Sequence, residues 1–172
     1  HLDIGGTDNN FYADSLKEEL QSENGNLYGE ELALQYGRYL LISSSRPGAL
    51  PSNLQGIWNR YADTPWTGGY WHNINIQMNY WLSMSCNLKE LFLPYVDYFE
   101  AILPLARKRA DDFILKYFPE QFSESGKNGW AIGTGAWPYD IYGISIEDHS
   151  GPGTIGLTAL LFWDWYEYTQ DQ

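Results

Sequence analysis

Between Ser43 and Trp81 the chain reads SSSRPGALPSNLQGIWNRYADTPWTGGYWHNINIQMNYW, a stretch that crowds carboxamides and indoles between prolines. Amides are poor core fillers, because a buried amide without partners costs about 1–3 kcal/mol on mutational scales. An amide is also donor and acceptor at once, and an indole offers a flat apolar face. On a loop, where binding groups usually sit over a rigid scaffold, the two together suit a hydroxyl-bearing ring, so the stretch reads as a sugar-facing surface. Trp58, Trp66 and Trp71 supply the indoles, and His72, Asn73, Asn75 and Gln77 follow them. The competing reading is a satisfied polar core that holds a long irregular loop in place, and side-chain types alone leave both open. Core packing suits the three tryptophans as well as stacking does, and an isolated histidine such as His72 is ordinarily a hydrogen-bonded structural residue.

Other chemistry is thinly represented. Asp140, Glu147, Asp148 and His149 form an acidic cluster, yet neighbours in one loop rarely reach the separation that a pair of catalytic carboxylates needs. Cys86 is the single cysteine, so neither an intrachain disulfide nor a thiolate zinc site can be built. It stands between Ser85 and Asn87 with no histidine nearby, as an inert thiol would. No glycine-rich phosphate cradle, zinc-binding helix motif or Ser/His/Asp constellation occurs, and no metal or cofactor is expected. A formal charge of -12 argues against nucleic-acid backbones and anionic membranes as partners. No apolar run is long enough to span a membrane, and the first residues, HLDIGGTDNN, lack the basic and apolar regions of a signal peptide.

The elements that must position these loops are helical. At 172 residues, 17% of them aromatic, the chain can bury one core. Residues 1–26 read as a linker or lead-in arm with a helical turn around Ser15 to Leu20. From Leu27 a helix is expected, with Glu30 and Glu31 in its first turn and Ala33, Tyr36, Tyr39 and Leu40 on one face. Ser43 to Ser45 and Pro47 should stop it. A short helix is expected from Asn75 to about Met84. A long one should run from Leu91 to Phe118 on a stripe of Val96, Phe99, Ile102, Leu103, Ala106, Ala110, Phe113 and Ile114. Pro94 suits its first turn and Pro104 should kink it, while Arg107 to Arg109 beside Asp111 and Asp112 make a solvated face. Trp130 to Asp148 forms a second, Gly- and aromatic-rich loop of functional character. Gly153 to Tyr168 should be a last helix, with Leu157, Leu160, Leu161, Trp165 and Tyr168 on one face. Helices joined by long aromatic loops, with hardly a strand, predict an all-α fold in which loops are presented at one end.

Several ordered segments carry a family resemblance. YGRYLLISSSRPGALPSNLQGIWN from Tyr36 to Asn59, Pro65 with Trp66, NINIQMNYW from Asn73 to Trp81, and Asn87 with Leu88 resemble glycoside hydrolase family 95, best known for α-L-fucosidase activity. Gly129 with Trp130 and the closing LLFWDWYEYTQD resemble it more loosely. The resemblance implies that residues 27–172 are the N-terminal part of an (α/α)6-barrel catalytic domain, a partial barrel here, with the rest of that domain as its expected partner and a carbohydrate as substrate. It implies an inverting, exo-acting hydrolysis of terminal fucose in which a glutamic acid and an aspartate, both expected beyond Gln172, act as acid and base. Asn73 and Asn75 match the two asparagines that hold the attacking water, and their i, i+2 spacing would aim both to one side of an extended segment. By itself the chain would then be inactive, and an extracellular or periplasmic location is what the family suggests.

Ile132 to Ala136 departs from the family pattern, which has a His-His-Asn-Thr-Asp-like run there. Trp71 stands where a histidine is often found, with His72 shifted by one. A changed sugar preference, toward an α-L-galactosidase for instance, is one implied consequence. A non-catalytic carbohydrate-binding helical module and a structural domain whose aromatics are all core are the alternatives.

Overall fold

The computed structural model describes residues 25–137, 140, 143, 146 and 152–171. The lead-in segment up to residue 24, with its expected turn at Ser15 to Leu20, and Glu147, Asp148 and His149 of the acidic cluster lie outside the described residues. The chain divides into two compact units, His1–Ser43 and Ser44–Gln172.

Helix α1 runs Gly25–Ser44 and starts ahead of the expected Leu27, so Glu30 and Glu31 fall in its second turn and no acidic residue occupies the first. The expected dipole contact is therefore not made. The expected face is not buried either: Ala33, Tyr36 and Tyr39 are exposed, the two tyrosines stacking at 6.0 Å, while Leu41 is buried. Apolar residues surround this helix on several sides, so periodicity had no single stripe to select. The serines end it as expected, Ser43 Oγ turning back to bond the Tyr39 carbonyl.

In the second unit the helix expected from Asn75 to Met84 is divided into α2 (Asn75–Tyr80) and α3 (Leu82–Ser85) at Trp81. Trp81 keeps right-handed dihedrals, and its N–H bonds the Met78 carbonyl, three residues back, so the junction is a tightened turn rather than a stop. After α3, Asn87 takes φ 55° while Leu88 N–H bonds Ser83 O and Asn87 N–H bonds Met84 O. This is a Schellman cap with asparagine in the glycine position. A 3-10 turn (Lys89–Phe92) leads into α4 (Leu93–Tyr117), which carries Pro94 in its first turn and continues through Pro104. Phe99, Ile102, Ala106 and Ala110 are buried as expected; Val96, Leu103, Phe113 and Ile114 are only half-buried. Tyr95 and Tyr98, outside the expected stripe, complete the buried face. The basic run gives one exposed ion pair, Lys108 with Asp112, worth little to stability.

Helix α5 spans Pro152–Thr169. Its buried positions are Thr154, Thr158 and Leu161, whereas Leu160, expected inside, is 43% exposed and Tyr168 is 63% exposed. Small hydroxyl residues let this helix approach its neighbours closely, and its outer face keeps Trp163 in water. The core they enclose is aromatic. Phe92 stacks on Tyr95 at 4.7 Å and on Trp165 at 5.5 Å, and Tyr95 meets Phe99 at 4.6 Å and Phe162 at 5.6 Å. Such pairs add about 0.5–1.5 kcal/mol each beyond the area they bury.

Sheet structure among the described residues is minimal. β1 (Tyr70–Trp71) pairs antiparallel with β2 (Gly135–Ala136), Tyr70 opposite Ala136 and Trp71 opposite Gly135. A Cβ on Gly135 would stand 3.2 Å from the Trp71 ring, so any side chain there would press the ring aside by a few tenths of an ångström. The all-α expectation holds for the helical scaffold, and this small ribbon ties the two long loops together. No helix among the described residues is long and apolar enough to cross a membrane.

Candidate functional site

The first long loop is fastened at its base by hydroxyl groups. Tyr80 Oη, in the core, contacts Ser45 Oγ at 2.7 Å and accepts the Ser52 N–H at 2.8 Å, while Ser45 Oγ donates to Leu91 O. Tyr70 Oη donates to Pro51 O, and Asn79 Nδ2 donates to Asn53 O. Burial pushes the Tyr80 hydroxyl above its ordinary pKa and the Tyr70 hydroxyl up to about 12, so both stay protonated at neutral pH.

Past β1 the ladder extends by one bond, from His72 N–H to Thr134 O at 2.6 Å. The His72 ring is buried between Gly133 O, 2.9 Å from Nδ1, and Tyr98 Oη, 2.7 Å from Nε2. A carbonyl can only accept, so Nδ1 carries the proton and Nε2 accepts from the Tyr98 hydroxyl. Burial pushes the His72 pKa down to about 4, the Gly133 carbonyl opposing the shift and Arg109 adding to it. The ring is neutral at pH 7. Gln77, also fully buried, donates from Nε2 to His72 O at 2.5 Å and to Thr158 Oγ1 at 2.9 Å. His72 and Gln77, read from the sequence as sugar-contacting, thus sit beneath the surface and join β1, α2, α4 and α5.

Over this lattice lies the asparagine pair. Asn73 is exposed in the turn after β1, Ile74 is the N-cap residue with φ -166° and ψ -33°, and Asn75 opens α2, half-buried. The segment is a strand-to-helix turn, not the extended one expected. Among the described residues neither amide has a hydrogen-bond partner in the protein, and Ile74 gives the helix no side-chain cap.

The tryptophans separate into two groups. Trp66, 69% exposed, meets the Trp71 ring edge-on at 5.6 Å, and Trp71 meets Trp137 edge-on at 6.4 Å. Trp71 Nε1 donates to Trp66 O, and Trp137 Nε1 donates to Thr67 Oγ1 at 2.8 Å. Trp66 and Thr67 hold left-handed dihedrals, φ 58° and 57°, followed by Gly68 at φ 61°. Trp58 stands apart, seated so closely over Gly56 that a Cβ there would come 2.7 Å from its ring. Between Trp58 and Trp137 opens a hollow of about 320 Å3 lined by Asn53, Gln55, Thr64 and Gly68 among others, none of them charged. Asn53, Gln55, Thr64 and Trp137 were not singled out in the sequence, although three lie in its amide-rich stretch and the fourth in the second aromatic loop.

Comparison with known proteins decides the family. The Glycosyl hydrolase family 95 catalytic domain matches residues 1–172. The chain belongs to glycosyl hydrolase family 95. Alpha-L-fucosidase 2 of Arabidopsis thaliana is 38% identical over 156 residues, 83% of this chain and 16% of that protein. Probable alpha-fucosidase A of Aspergillus niger is 44% identical over 156 residues, 87% of this chain and 18% of that protein. The protein of the same name from Aspergillus oryzae is 46% identical over 77 residues, 45% of this chain and 11% of its own length. This family 95 chain therefore spans less than a fifth of the length of the first two. Its segment Ile132 to Ala136, expected from the resemblance to depart from the family pattern, is buried, with Gly133 O facing His72 and Gly135 and Ala136 forming β2. Among the described residues no three His, Cys, Asp or Glu side chains gather as a metal site would require.

Proposed function

We propose that this chain is the N-terminal part of an (α/α)6-barrel catalytic domain that removes terminal α-linked L-fucose from glycans with inversion. In this reading Asn73 and Asn75 hold the attacking water through their carboxamides. The acid and base come from the longer protein beyond Gln172, so the chain alone is inactive. His72 and Gln77 act as positioning residues: the neutral ring and the buried amide fix the backbone from which the asparagines project. Trp58, Trp66 and Trp71 offer apolar faces to the sugar.

One observation carries the reading: in a family 95 chain, neither amide at the β1–α2 turn has a protein partner among the described residues, while the His72 ring and the Gln77 Nε2 beneath them are bonded. A water gripped by two amides suits an inverting site, which must leave room for water between its carboxyl groups. The test uses the full-length protein and a fucosylated oligosaccharide, following the released sugar by proton NMR. β-L-fucose should appear first, and Asn73→Ala and Asn75→Ala should each lower kcat by on the order of 100-fold, the cost of misplacing a reacting group. Release of α-L-fucose first, or unchanged turnover in both variants, would overturn it.

A further inference from the structure

The hollow between Trp58 and Trp137 is a site in its own right. Three polar atoms meet over Gly68: a Cβ built there would stand 3.2 Å from Gln55 Oε1, 3.2 Å from Thr64 Oγ1 and 3.8 Å from Asn53 Nδ2. None of the three has a hydrogen-bond partner among the described residues, and Gln55 Oε1 is buried from water as well. The remaining polar atoms of these side chains are engaged. Gln55 Nε2 donates to Pro65 O, and Asn53 Oδ1 accepts the Gln55 N–H at 2.9 Å, so both amides are held in one orientation. The set open to a ligand is one amide donor, Asn53 Nδ2, and one hydroxyl, Thr64 Oγ1, that can serve as donor or acceptor, which together suit a sugar hydroxyl or a neighbouring pair of them. Thr64 Oγ1 and Asn53 Nδ2, unpaired yet not sealed from water as Gln55 Oε1 is, are the two atoms a ligand hydroxyl can reach from the hollow.

The walls agree with this polar floor. Trp58 lies on Gly56, and the Trp137 indole lies on Gly69, where a Cβ would come 2.8 Å from Nε1, so both rings are fixed against bare backbone. Among the described residues no Asp, Glu, Lys or Arg lines the hollow, which favours a neutral ligand. Its volume, about 320 Å3, falls at the lower end of the range of about 300–1,000 Å3 typical of small-ligand sites. Asn73 and Asn75 do not line it, yet Gly68 and Asn73 are five residues apart, so at most about 18 Å separates their backbones.

The geometry points to a second saccharide-binding recess, distinct from the Asn73–Asn75 turn, in which a neutral sugar ring of the glycan other than the one being cleaved rests on Trp58 and Trp137 with a hydroxyl over Gly68. This inference rests on the carbohydrate reading proposed above for the chain but not on its chemistry of cleavage. Its test is titration of the full-length protein with fucose-free neutral disaccharides (lactose, cellobiose and N,N′-diacetylchitobiose), followed by tryptophan fluorescence.

At least one of these sugars should quench saturably. Thr64→Val, which removes a hydroxyl with no protein bond, and Asn53→Asp, which keeps the acceptor for Gln55 N–H and deletes the donor, should each weaken that binding at least 10-fold with near-UV circular dichroism unchanged. Gly68→Ala, which places a methyl group in the cradle, should abolish it. No saturable response to any of the three sugars, or equal affinity in Thr64→Val and Asn53→Asp, would overturn the inference. Turnover of an aryl α-L-fucoside by the unmodified protein, measured in parallel, keeps the two readings apart. Turnover without disaccharide binding removes the recess alone, and binding without turnover removes the hydrolase alone.

Discussion

Asn53 to Gly68 and His72 to Gln77 draw on the same residue types, yet the structure sets them in different surroundings. In the second region Gln77 is sealed inside with two bonds from its Nε2 and an unpaired Oε1, and His72 is bonded through both ring nitrogens. In the first, Gln55 likewise leaves its Oε1 unpaired, but Asn53 Nδ2 and Thr64 Oγ1, without partners among the described residues, stand at an open hollow. The difference lies in what packs against them. α4 and α5 close over His72 and Gln77 and bring Tyr98 and Thr158 as partners, whereas in the first region Trp58 and Trp137 close on Gly56 and Gly69 and leave a hollow between the two rings. An amide-rich sequence therefore announces polar recognition without saying whether the recognised group is the protein itself or a ligand.

That contrast can be broken by substitution, in unfolding experiments on the full-length protein. Gln77→Ala removes two buried bonds and opens a cavity, so it should cost about 3–4 kcal/mol in urea unfolding. A loss below about 1 kcal/mol would show that the buried lattice is no firmer than the hollow. Acidification comes next. His72 has a folded-state pKa of about 4 against an ordinary value near 6.5, so between these values the unfolded chain binds the extra proton. Stability must then fall as pH drops from about 6.5 to about 4, by about 3 kcal/mol in all, and level off below. Comparing the wild type with His72→Gln across that window isolates the contribution, and parallel curves would remove it.

Tyr98→Phe leaves His72 Nε2 buried without its donor and should cost about 2 kcal/mol in thermal or urea unfolding. The smallest effect belongs to the hollow: Thr64→Val should shift stability by no more than about 0.5 kcal/mol, as for a surface change touching no protein partner. A larger loss would mean that Thr64 supports the fold and is not held ready for a ligand.

Much of the scaffold was legible because punctuation and period agree there. The serines after Tyr39, Pro94 at the head of α4, and the spacing of Phe99, Ile102, Ala106 and Ala110 all point one way, and the structure follows them. Tyr95 and Tyr98 escaped notice because a tyrosine goes inside only when its hydroxyl has somewhere to bond, and Thr158 and His72, their partners, are distant in sequence. The face of α5 differs from the expected one for another reason. Leu160 and Tyr168 are as apolar as Leu161, so hydrophobicity could not reveal that Thr154 and Thr158 make the close contact. At the site, the amide–indole loop itself was legible, but the pattern favoured the large indoles over Gln55 and Thr64. Free hydrogen-bonding capacity is a property of three-dimensional surroundings and leaves no mark on the order of residues.

The backbone from Trp66 to Gly68 turns in the left-handed sense for three residues in succession, two of them not glycine and one β-branched. Each non-glycine residue in this region carries roughly 1–3 kcal/mol of strain, held in place by Gly69 N–H and Trp71 Nε1 on Trp66 O and by Trp137 Nε1 on Thr67 Oγ1. Rewinding such a segment means flipping several peptide units together while letting go of two indoles. The loop is thus latched, not hinged, and its surface is a mould already set in its final shape.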